Sequence, residues 1–329
     1  MALTNKSKFK IISKEKGDIH PRNTMLAGYD FDVLTAAIPA IAEFVILNPA
    51  GTKTIDFSNS TAVKMLNTAL MKHYYKITTW DVPQGYLVPP VPGRADHIHH
   101  LADMLASVNK DLIPVGRSMR ILDIGVGSSC IYPIIGSREY GWSFVGTDVD
   151  EVALKSAQTI VNADKQLKDL VSLRLQKDNK SVLKGVLTAE DDFDLIMCNP
   201  PFHATFDDMQ AAVERKWNNL RLKPEGSPHL NFGGVETELI YPGGELAFVL
   251  RMAAESVLFK KNVYWFSSLI SKDENLQPLY NVLAKMDTTE IRTVEMVHGQ
   301  KRSRIVAWTF HTEYGQRGWR ESHWWTSEQ

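Results

Sequence analysis

The sequence predicts an α/β fold, in which a mostly parallel sheet carries helices on both faces and follows a mainly helical N-terminal extension. From residue 119 onward short β-rich runs alternate with helical ones, and before residue 115 apolar residues recur three and four apart. Hydrophobic residues make up 44% and charged residues 23% of the 329 residues, as in ordinary globular proteins. No apolar run approaches the roughly 20 residues of a membrane-spanning helix.

Three segments follow from this pattern. Residues 1–115 form the extension, with helices predicted at 61–75 and 95–108 and a Pro/Gly-rich connection, DVPQGYLVPPVPGR, between them. Residues 116–312 form the α/β domain, with strands predicted in MRILDIGV, SFVGTDV, VSLRLQ, FDLIMCN, VYWFSSLI and RIVAWTF. A loop-rich insertion is expected at 203–243, and the tail at 313–329 has no period that assigns it a role.

The N-terminal residues and the cysteines bear on location and metal binding. The first residues carry lysines without an apolar stretch behind them, so we expect no secretory signal and a cytosolic location. Cys130 and Cys198 are too few for a disulfide framework or a Cys-based zinc site, and we expect them to be small buried residues. His97, His99 and His100 have no carboxylate or cysteine at ligand spacing, so no metal site is predicted.

Charge is segregated along the chain. The 37 Lys and Arg against 38 Asp and Glu leave a net charge of −1, so the whole molecule does not attract nucleic acid. Basic patches lie at 1–16, 165–184 and 292–304, and an acidic run lies at 190–194. Clustered Lys and Arg favour salt-sensitive contacts with phosphates, although each patch alone also fits an ordinary solvated surface.

A glycine turn, DIGVGSS, follows the first predicted strand of the α/β domain. Glycines let the backbone pass close to a nucleotide, and Asp148, about 20 residues further on, ends the next strand in a position suited to ribose hydroxyls. Cys130 stands where a dinucleotide turn would have its third glycine, which favours an adenosine ligand without phosphates such as S-adenosylmethionine (SAM). A purely structural strand and turn is the alternative, and the nearby Asp150 is either a second ligand contact or a helix N-cap. The candidate cofactor contacts of the turn are Asp123, Gly125, Gly127 and Ser129.

An Asn-Pro-Pro-Phe tetrad, Asn199 to Phe202, follows another buried strand. Proline has no N–H, so the corner offers acceptors, and the residue before a proline is held extended. Asn199 Oδ1 and the Pro200 carbonyl can accept both hydrogens of one planar NH2 group and stabilise the positive charge that arrives when nitrogen is methylated. Pro201 completes the corner, and Phe202 would stack on a target base. The alternative is a proline-rich loop with a core Phe.

Several long strings resemble the bacterial RlmF family: PPVPGRADHIHHLADML, ILDIGVGSSCIYPIIGSREYGW, CNPPFH, NFGG, GGELAFV and GQKRSRIVAWTF. The resemblance runs from about His20 to Phe310. It implies a seven-stranded, Rossmann-like fold of SAM-dependent methyltransferases. It also implies an activity, the methylation of N6 of one adenine, adenine 1618, in 23S ribosomal RNA. Eukaryotic relatives methylate adenine in U6 small nuclear RNA. The implied partner is 23S ribosomal RNA, free or in an assembling particle, bound by a monomer without membrane contact.

The resemblance also implies roles for single residues. Gly125 and Ser129 match the SAM-binding turn, and Asp148 matches the acidic residue that faces the ribose. Arg94 matches an arginine at the methionine end of SAM, where a guanidinium suits a carboxylate, or else it ties the extension to the α/β domain. Lys177 matches a lysine in a loop that closes over SAM. Asn199, Pro200, Pro201 and Phe202 match the catalytic tetrad.

Seven basic residues are candidates for RNA contacts. Arg22 lies in an HPRN string that matches the family, and a folding role is its alternative. For the others the alternative is ordinary surface charge. The candidates are Arg22, Arg215, Lys216, Arg221, Lys301, Arg302 and Arg304.

Two other functions stay open at this point. A protein glutamine N5-methyltransferase would present the same planar NH2 group to the same tetrad, and the basic insertion and final hairpin favour RNA over a peptide. A catalytically inactive RNA-binding module is the second alternative, and the intact Asn199 and Asp148 favour an active enzyme.

Overall fold

The computed structural model describes residues 8–12, 19–208, 236–298 and 301–324. The strands are β1 (Phe9–Ile12), β2 (Val45–Leu47), β3 (Lys53–Ile55), β4 (Arg120–Ile124), β5 (Ser143–Asp148), β6 (Val171–Leu175), β7 (Phe193–Cys198), β8 (Val263–Ile270), β9 (Glu290–His298) and β10 (Lys301–Thr309). The helices are α1 (Phe31–Ala37), α2 (Ser60–Tyr75), α3 (Val91–Ala106), α4 (Ile131–Tyr140), α5 (Glu151–Ala163), α6 (Lys165–Leu170), α7 (Glu236–Leu239), α8 (Gly244–Ser256), α9 (Leu276–Lys285) and α10 (Glu313–His323). None of these described helices has the length and apolarity needed to cross a membrane.

One large sheet organises the molecule, in the order β1-β9-β10-β8-β7-β4-β5-β6, and β2 and β3 form a separate antiparallel pair. All neighbours in the large sheet are parallel except for β10, which is antiparallel to β8 and β9. The predicted α/β class with a mostly parallel sheet is therefore confirmed. The seven strands β4 to β10 are joined by an eighth, β1, which the sequence did not indicate because four residues are too short to show a period.

Successive residues of the central strands pack into two apolar cores, one on each face of the sheet. Leu195 of β7 and Trp265 of β8 pack in one apolar cluster, and the next residues, Ile196 and Phe266, pack in the other. Side chains of a strand point alternately to the two faces, so both faces of the sheet are covered. This double burial explains why both strands are buried at every position and read as continuous apolar runs.

The extension packs on the α/β domain. Its predicted helices correspond to α2 and α3, and α3 begins at Val91, inside the stretch expected to be an extended connection. Pro92 is tolerated there because the first turn of a helix leaves its N–H groups without helical partners. Leu70 of α2, Ile98 of α3 and Ile134 of α4 belong to one apolar cluster, so the extension shares a core with the sheet.

The C-terminal tail contains α10, which is fixed by two indoles to the start of β7. Trp319 Nε1 and Trp324 Nε1 donate to Asp194 Oδ1 at 2.7 and 2.6 Å, and the Arg120 amide donates to Asp194 Oδ2 at 2.8 Å. Asp194 is the second residue of β7, whereas Asn199 follows its last residue. The tail is thus part of the fold and lies at the opposite end of β7 from the Asn-Pro-Pro-Phe corner.

Candidate active site

The glycine turn and the Asn-Pro-Pro-Phe corner lie side by side. Ile124, the last residue of β4, pairs with the penultimate residue of β5 on one side and with the last residue of β7 on the other. The parallel register therefore places Gly125 between Asp148 and Asn199 at the carboxyl edge of the sheet. Ligands of open α/β sheets bind at this edge.

These residues line one cavity of about 240 Å³. The predicted site residues in its wall are Arg94, Gly125, Gly127, Ser129, Asp148, Asn199 and Pro201. Other wall residues were not singled out from the sequence, because no local pattern shows that they face a cavity: Leu87, Tyr132, Gln176, Asn179, Glu238 and Phe248. The cavity thus joins the two motifs that the sequence singled out separately.

The glycine turn is open toward this cavity. Gly125 and Gly127 have φ of 74° and 66°, a region that favours glycine. A Cβ added to Gly125 would meet no atom within 4 Å, so the turn leaves room for a ligand against its backbone. The Gly127 amide donates to Asp148 Oδ2 at 2.9 Å and fixes the carboxylate beside the turn.

Asp148 and Asp150 have different roles. Burial raises the pKa of Asp148, although the Gly127 and Asp150 amides donate to its carboxylate. Asp150 caps α5 by accepting from two amides of its first turn, and it also accepts from the Tyr86 hydroxyl at 2.8 Å. The N-cap alternative for Asp150 is therefore present in the structure.

Asp123 lies behind the cavity wall and is fully buried. Neither of its carboxylate oxygens has a hydrogen-bond partner among the described residues. Burial, and then the negative charge of Asp148, raise the pKa of Asp123 to about 8, while the Arg94 cation opposes this shift. A cationic group of a ligand bound nearby would stabilise the charged form of this carboxyl.

Arg94 reaches Asn199. In the amide orientation that satisfies both side chains, Asn199 Oδ1 accepts from Arg94 Nη1 at 2.5 Å and from Nη2 at 3.0 Å. The Arg94 Nε has no partner among the described residues, so this edge of the guanidinium can take a carboxylate. Arg94 belongs to α3, so the extension supplies part of the cavity wall.

Two more contacts connect the extension to the cavity. Trp80 Nε1 donates to the carbonyl of Ser129 in the glycine turn at 2.9 Å. The Leu87 amide donates to Glu238 Oε2 at 2.9 Å. Trp80, directly before the Pro/Gly-rich connection, and Leu87 within it thus brace the cavity, a role that composition alone did not indicate.

Some predicted site residues lie away from the cavity wall. Lys177 is exposed and its neighbour Gln176 lines the cavity instead. Pro200 is buried, and Phe202 is half-buried beside the corner without lining the cavity. Across the described ranges, no group of three or more His, Cys, Asp or Glu side chains could hold a metal ion.

The candidate RNA contacts differ in their surroundings. Arg22 donates to the Tyr140 hydroxyl, to Asp103 and to the His99 carbonyl, contacts that support its folding role. Arg304 is buried and pairs with Asp273, so its pairing favours a structural role over a phosphate contact.

The remaining candidates lie at the hairpin or in the insertion. Arg302 is exposed. Lys301 begins β10. Arg215, Lys216 and Arg221 lie outside the described residues.

Comparisons with known proteins identify the family of this chain. A family model described as RNA methyltransferase matches residues 13–312. Ribosomal RNA large subunit methyltransferase F of Photobacterium profundum is 46% identical over 333 residues, which cover 96% of this chain and 98% of the relative. The protein of the same name from Stutzerimonas stutzeri is 49% identical over 314 residues, covering 95% and 96%.

Solved structures give the same result. The catalytic domain of human METTL16 in complex with MAT2A 3′UTR hairpin 1 aligns with a TM-score of 0.73 and 29% identity, over 90% of this chain and 96% of that one. The N-terminal domain of human METTL16 in complex with SAH aligns with a TM-score of 0.70 and 28% identity, over 89% and 99%. The resemblance to the RlmF family is confirmed. Because the family model and these relatives span most of its length, the chain belongs to the RNA methyltransferase family.

Proposed function

We propose that this protein uses SAM to methylate N6 of an adenine in large-subunit ribosomal RNA. The observation that carries the proposal is the single cavity in which Gly125 and Asp148 lie directly beside Asn199 and Pro201. The family match and the names of the curated relatives support RNA, and the large ribosomal subunit, as the substrate. By the resemblance, the base is adenine 1618 of 23S ribosomal RNA.

The residues of the cavity fit SAM. Asp148 offers carboxylate oxygens to ribose hydroxyls, and the free Nε edge of Arg94 offers donors to the carboxylate of the methionine end. Asp123, behind the wall, is mostly protonated in the protein alone, and a cationic group of the bound ligand would favour its charged form. When bound, SAM supplies a methyl group on a positively charged sulfur. A relative of known structure is in complex with SAH, which supports the same cofactor here.

The corner residues act on the target nitrogen. Asn199 Oδ1 and the Pro200 carbonyl accept the two hydrogens of the adenine amine and turn its lone pair toward the donor methyl group. As the new C–N bond forms, the bond between the methyl carbon and the sulfur breaks and its electron pair stays on the sulfur, which becomes the neutral thioether of S-adenosylhomocysteine. Positive charge develops on the nitrogen and these two acceptors stabilise it; the nitrogen then loses one proton to solvent. No strong base is required, because the nitrogen is acidic once it carries the methyl group.

The target base must leave its stack to reach the cavity. Phe202, half-buried beside the corner, supplies an aromatic face for it, which by the figures for stacked bases contributes about 1 to 3 kcal/mol. The β9–β10 hairpin carries Arg302 and Lys301 at the carboxyl edge of β8, the same edge as Asn199. Basic residues at this edge are suited to the phosphates that flank a flipped base.

One chain supplies all the cavity residues named above, so we propose that the enzyme acts as a monomer. A cytoplasmic location follows from a ribosomal RNA substrate, which is either free or part of an assembling particle.

Methyl transfer from labelled SAM tests the proposal. The acceptor is 23S ribosomal RNA from cells that lack this protein, and mass mapping of the product locates the methylated base. We expect one N6-methyladenine, at adenine 1618, and no transfer to the same RNA from cells that contain the protein. Transfer to release-factor peptide instead would identify a glutamine N5-methyltransferase, and no transfer to any acceptor would indicate an inactive module.

A further inference from the structure

A chain of three side chains runs from the cavity into the helices beneath it. Arg94 Nη1 donates to the Tyr132 hydroxyl at 2.7 Å, and this hydroxyl lies 3.0 Å from His97 Nδ1. Tyr132 and His97 are buried, at 4% and 1% exposure. A guanidinium can only donate, so the Tyr132 oxygen accepts from Arg94 and its own proton goes to His97 Nδ1.

The surroundings of His97 and Tyr132 determine which group donates in each of these hydrogen bonds. Burial lowers the pKa of His97 to about 3, so its ring is neutral near pH 7 and Nδ1 is free to accept. The His97 and Tyr132 rings pack edge to face at 5.1 Å between centroids, and the Arg94 guanidinium carbon lies 5.3 Å from the centre of the Tyr132 ring. The phenol therefore holds the guanidinium both by its hydroxyl and by its face.

On the cavity side, Arg94 connects these three side chains to Asn199. Its side-chain oxygen accepts from both terminal nitrogens of Arg94, and the opposite amide orientation would turn an NH2 group toward a cation. The placement of Arg94 thus decides where the amide oxygen of Asn199 lies. That oxygen is the acceptor that the proposed methyl transfer requires.

We infer that Tyr132 and His97 are positioning residues for catalysis, which act through Arg94 to orient the side-chain amide of Asn199. This inference rests on the proposed function. It predicts that the Tyr132 hydroxyl affects the rate of methyl transfer without any contact with the target base.

The structure offers a matched control on the same helix. At the other end of α4, the Tyr140 hydroxyl accepts from Arg22 Nε at 3.0 Å and lies 2.7 Å from His99 Nδ1. This second Arg-Tyr-His group repeats the first, but none of its members lines the cavity. Loss of the Tyr140 hydroxyl removes the same kind of hydrogen bonds without reaching Asn199.

The experiment compares Tyr132→Phe with Tyr140→Phe in methyl transfer to 23S ribosomal RNA. At saturating SAM and RNA, we expect Tyr132→Phe to lower kcat about tenfold, as for one lost hydrogen bond to a charged group, with little change in the KM for RNA. Tyr140→Phe should keep kcat within about twofold of the wild type, and circular dichroism should show both variants folded. An unchanged kcat in Tyr132→Phe, or equal losses in both variants, would overturn the inference.

Two further sets of variants separate positioning from a general packing effect. In an Arg94→Met background, Tyr132→Phe should cause no additional loss, because the hydroxyl acts only through the guanidinium. His97→Leu should slow transfer, and His97→Gln, whose amide oxygen can accept from the hydroxyl, should restore most of the rate. Additive losses in the first set, or no rescue in the second, contradict the inference. If the wild type itself fails to methylate RNA, the proposed function fails first, a result distinct from all of these.

Discussion

Asn199 is the residue on which the proposed chemistry depends most directly. We expect Asn199→Ala to lower kcat by about 100- to 1000-fold, the usual cost of removing one group that stabilises a transition state, because the target amine loses an acceptor. The affinity for SAM should stay within a few-fold, since the Asp148 side of the cavity is untouched. Labelled methyl transfer and calorimetric titration with SAM measure the two effects. Asn281→Ala, at an exposed position on α9, is the control, and a near-normal rate in Asn199→Ala would exclude the assigned role.

The raised pKa of Asp123 leads to a prediction of how the free energy of unfolding depends on pH. Its folded-state pKa of about 8 lies above the unfolded value of 3.8, so the folded protein keeps a proton that the unfolded chain releases. This carboxyl therefore costs no stability below about pH 4, costs increasing stability as pH rises toward 8, and costs a constant amount above that. Asp123→Asn should be more stable than the wild type at pH 9, by an amount on the order of a few kcal/mol, and similar to it near pH 4.

Urea unfolding of both proteins at pH 4, 7 and 9 measures this difference. Other buried carboxyls titrate in both proteins, so their contributions cancel when the two are compared. Asp192→Asn, at an exposed position, should show no such trend. A difference between wild type and Asp123→Asn that stays constant with pH would show that Asp123 is not held protonated by its surroundings.

Single residues also show where sequence reasoning stops. The Asn-Pro-Pro-Phe string could be read from the sequence because its chemistry is local: two prolines and the residue before them determine the corner. The structural role of Arg304 could not be predicted from the sequence. Its partner Asp273 is distant in the chain, and a basic residue in a basic stretch is typical of surface charge. Tyr132 carried no signal either, because its role comes from Arg94 on another helix.

At the scale of elements, the strands were the most predictable feature. β7 and β8 are buried at every position and read as mostly apolar runs, the composition that parallel strands covered on both faces require. Helix α10 was not predictable in its role. Trp319 of this helix and Trp324 directly after it bind a carboxylate at the start of β7, more than a hundred residues earlier, and no local period records such a contact.

The attachment of α10 leads to a prediction about stability. Asp194→Ala leaves the buried indole N–H of Trp319, the half-buried indole N–H of Trp324 and one backbone amide without their acceptor, so we expect the free energy of unfolding to fall by about 3 kcal/mol. Urea denaturation measures the loss, and Asp192→Ala, two residues before Asp194 and exposed, is the control. Because Asp194 lies at the opposite end of β7 from Asn199, the kcat of the folded variant should be retained. Equal stabilities of the two variants would mean that the indoles do not hold the tail.

For the whole molecule, the arrangement of charge matters more than its sum. A net charge of −1 offers no general attraction to RNA, so binding depends on where the cations lie. Parallel strands place all their carboxyl ends at one edge, and the antiparallel return of β10 brings its first residues to that edge as well. The sequence showed the basic hairpin and the Asn-Pro-Pro-Phe corner, but only the strand order shows that they share an edge.

This arrangement predicts which cations contribute to RNA binding. Arg302 is exposed at the edge that carries Asn199, whereas Lys261 is exposed just before β8, at the opposite edge. Each phosphate contact to a single strand contributes about 0.7 to the slope of log affinity against log salt. We therefore expect Arg302→Ala to weaken binding of 23S ribosomal RNA several-fold at low salt and to make the slope shallower by about 0.7, and Lys261→Ala to change neither. Binding measured by fluorescence anisotropy over a salt series tests this, and equal effects of the two substitutions would show that RNA does not distinguish the two edges of the sheet.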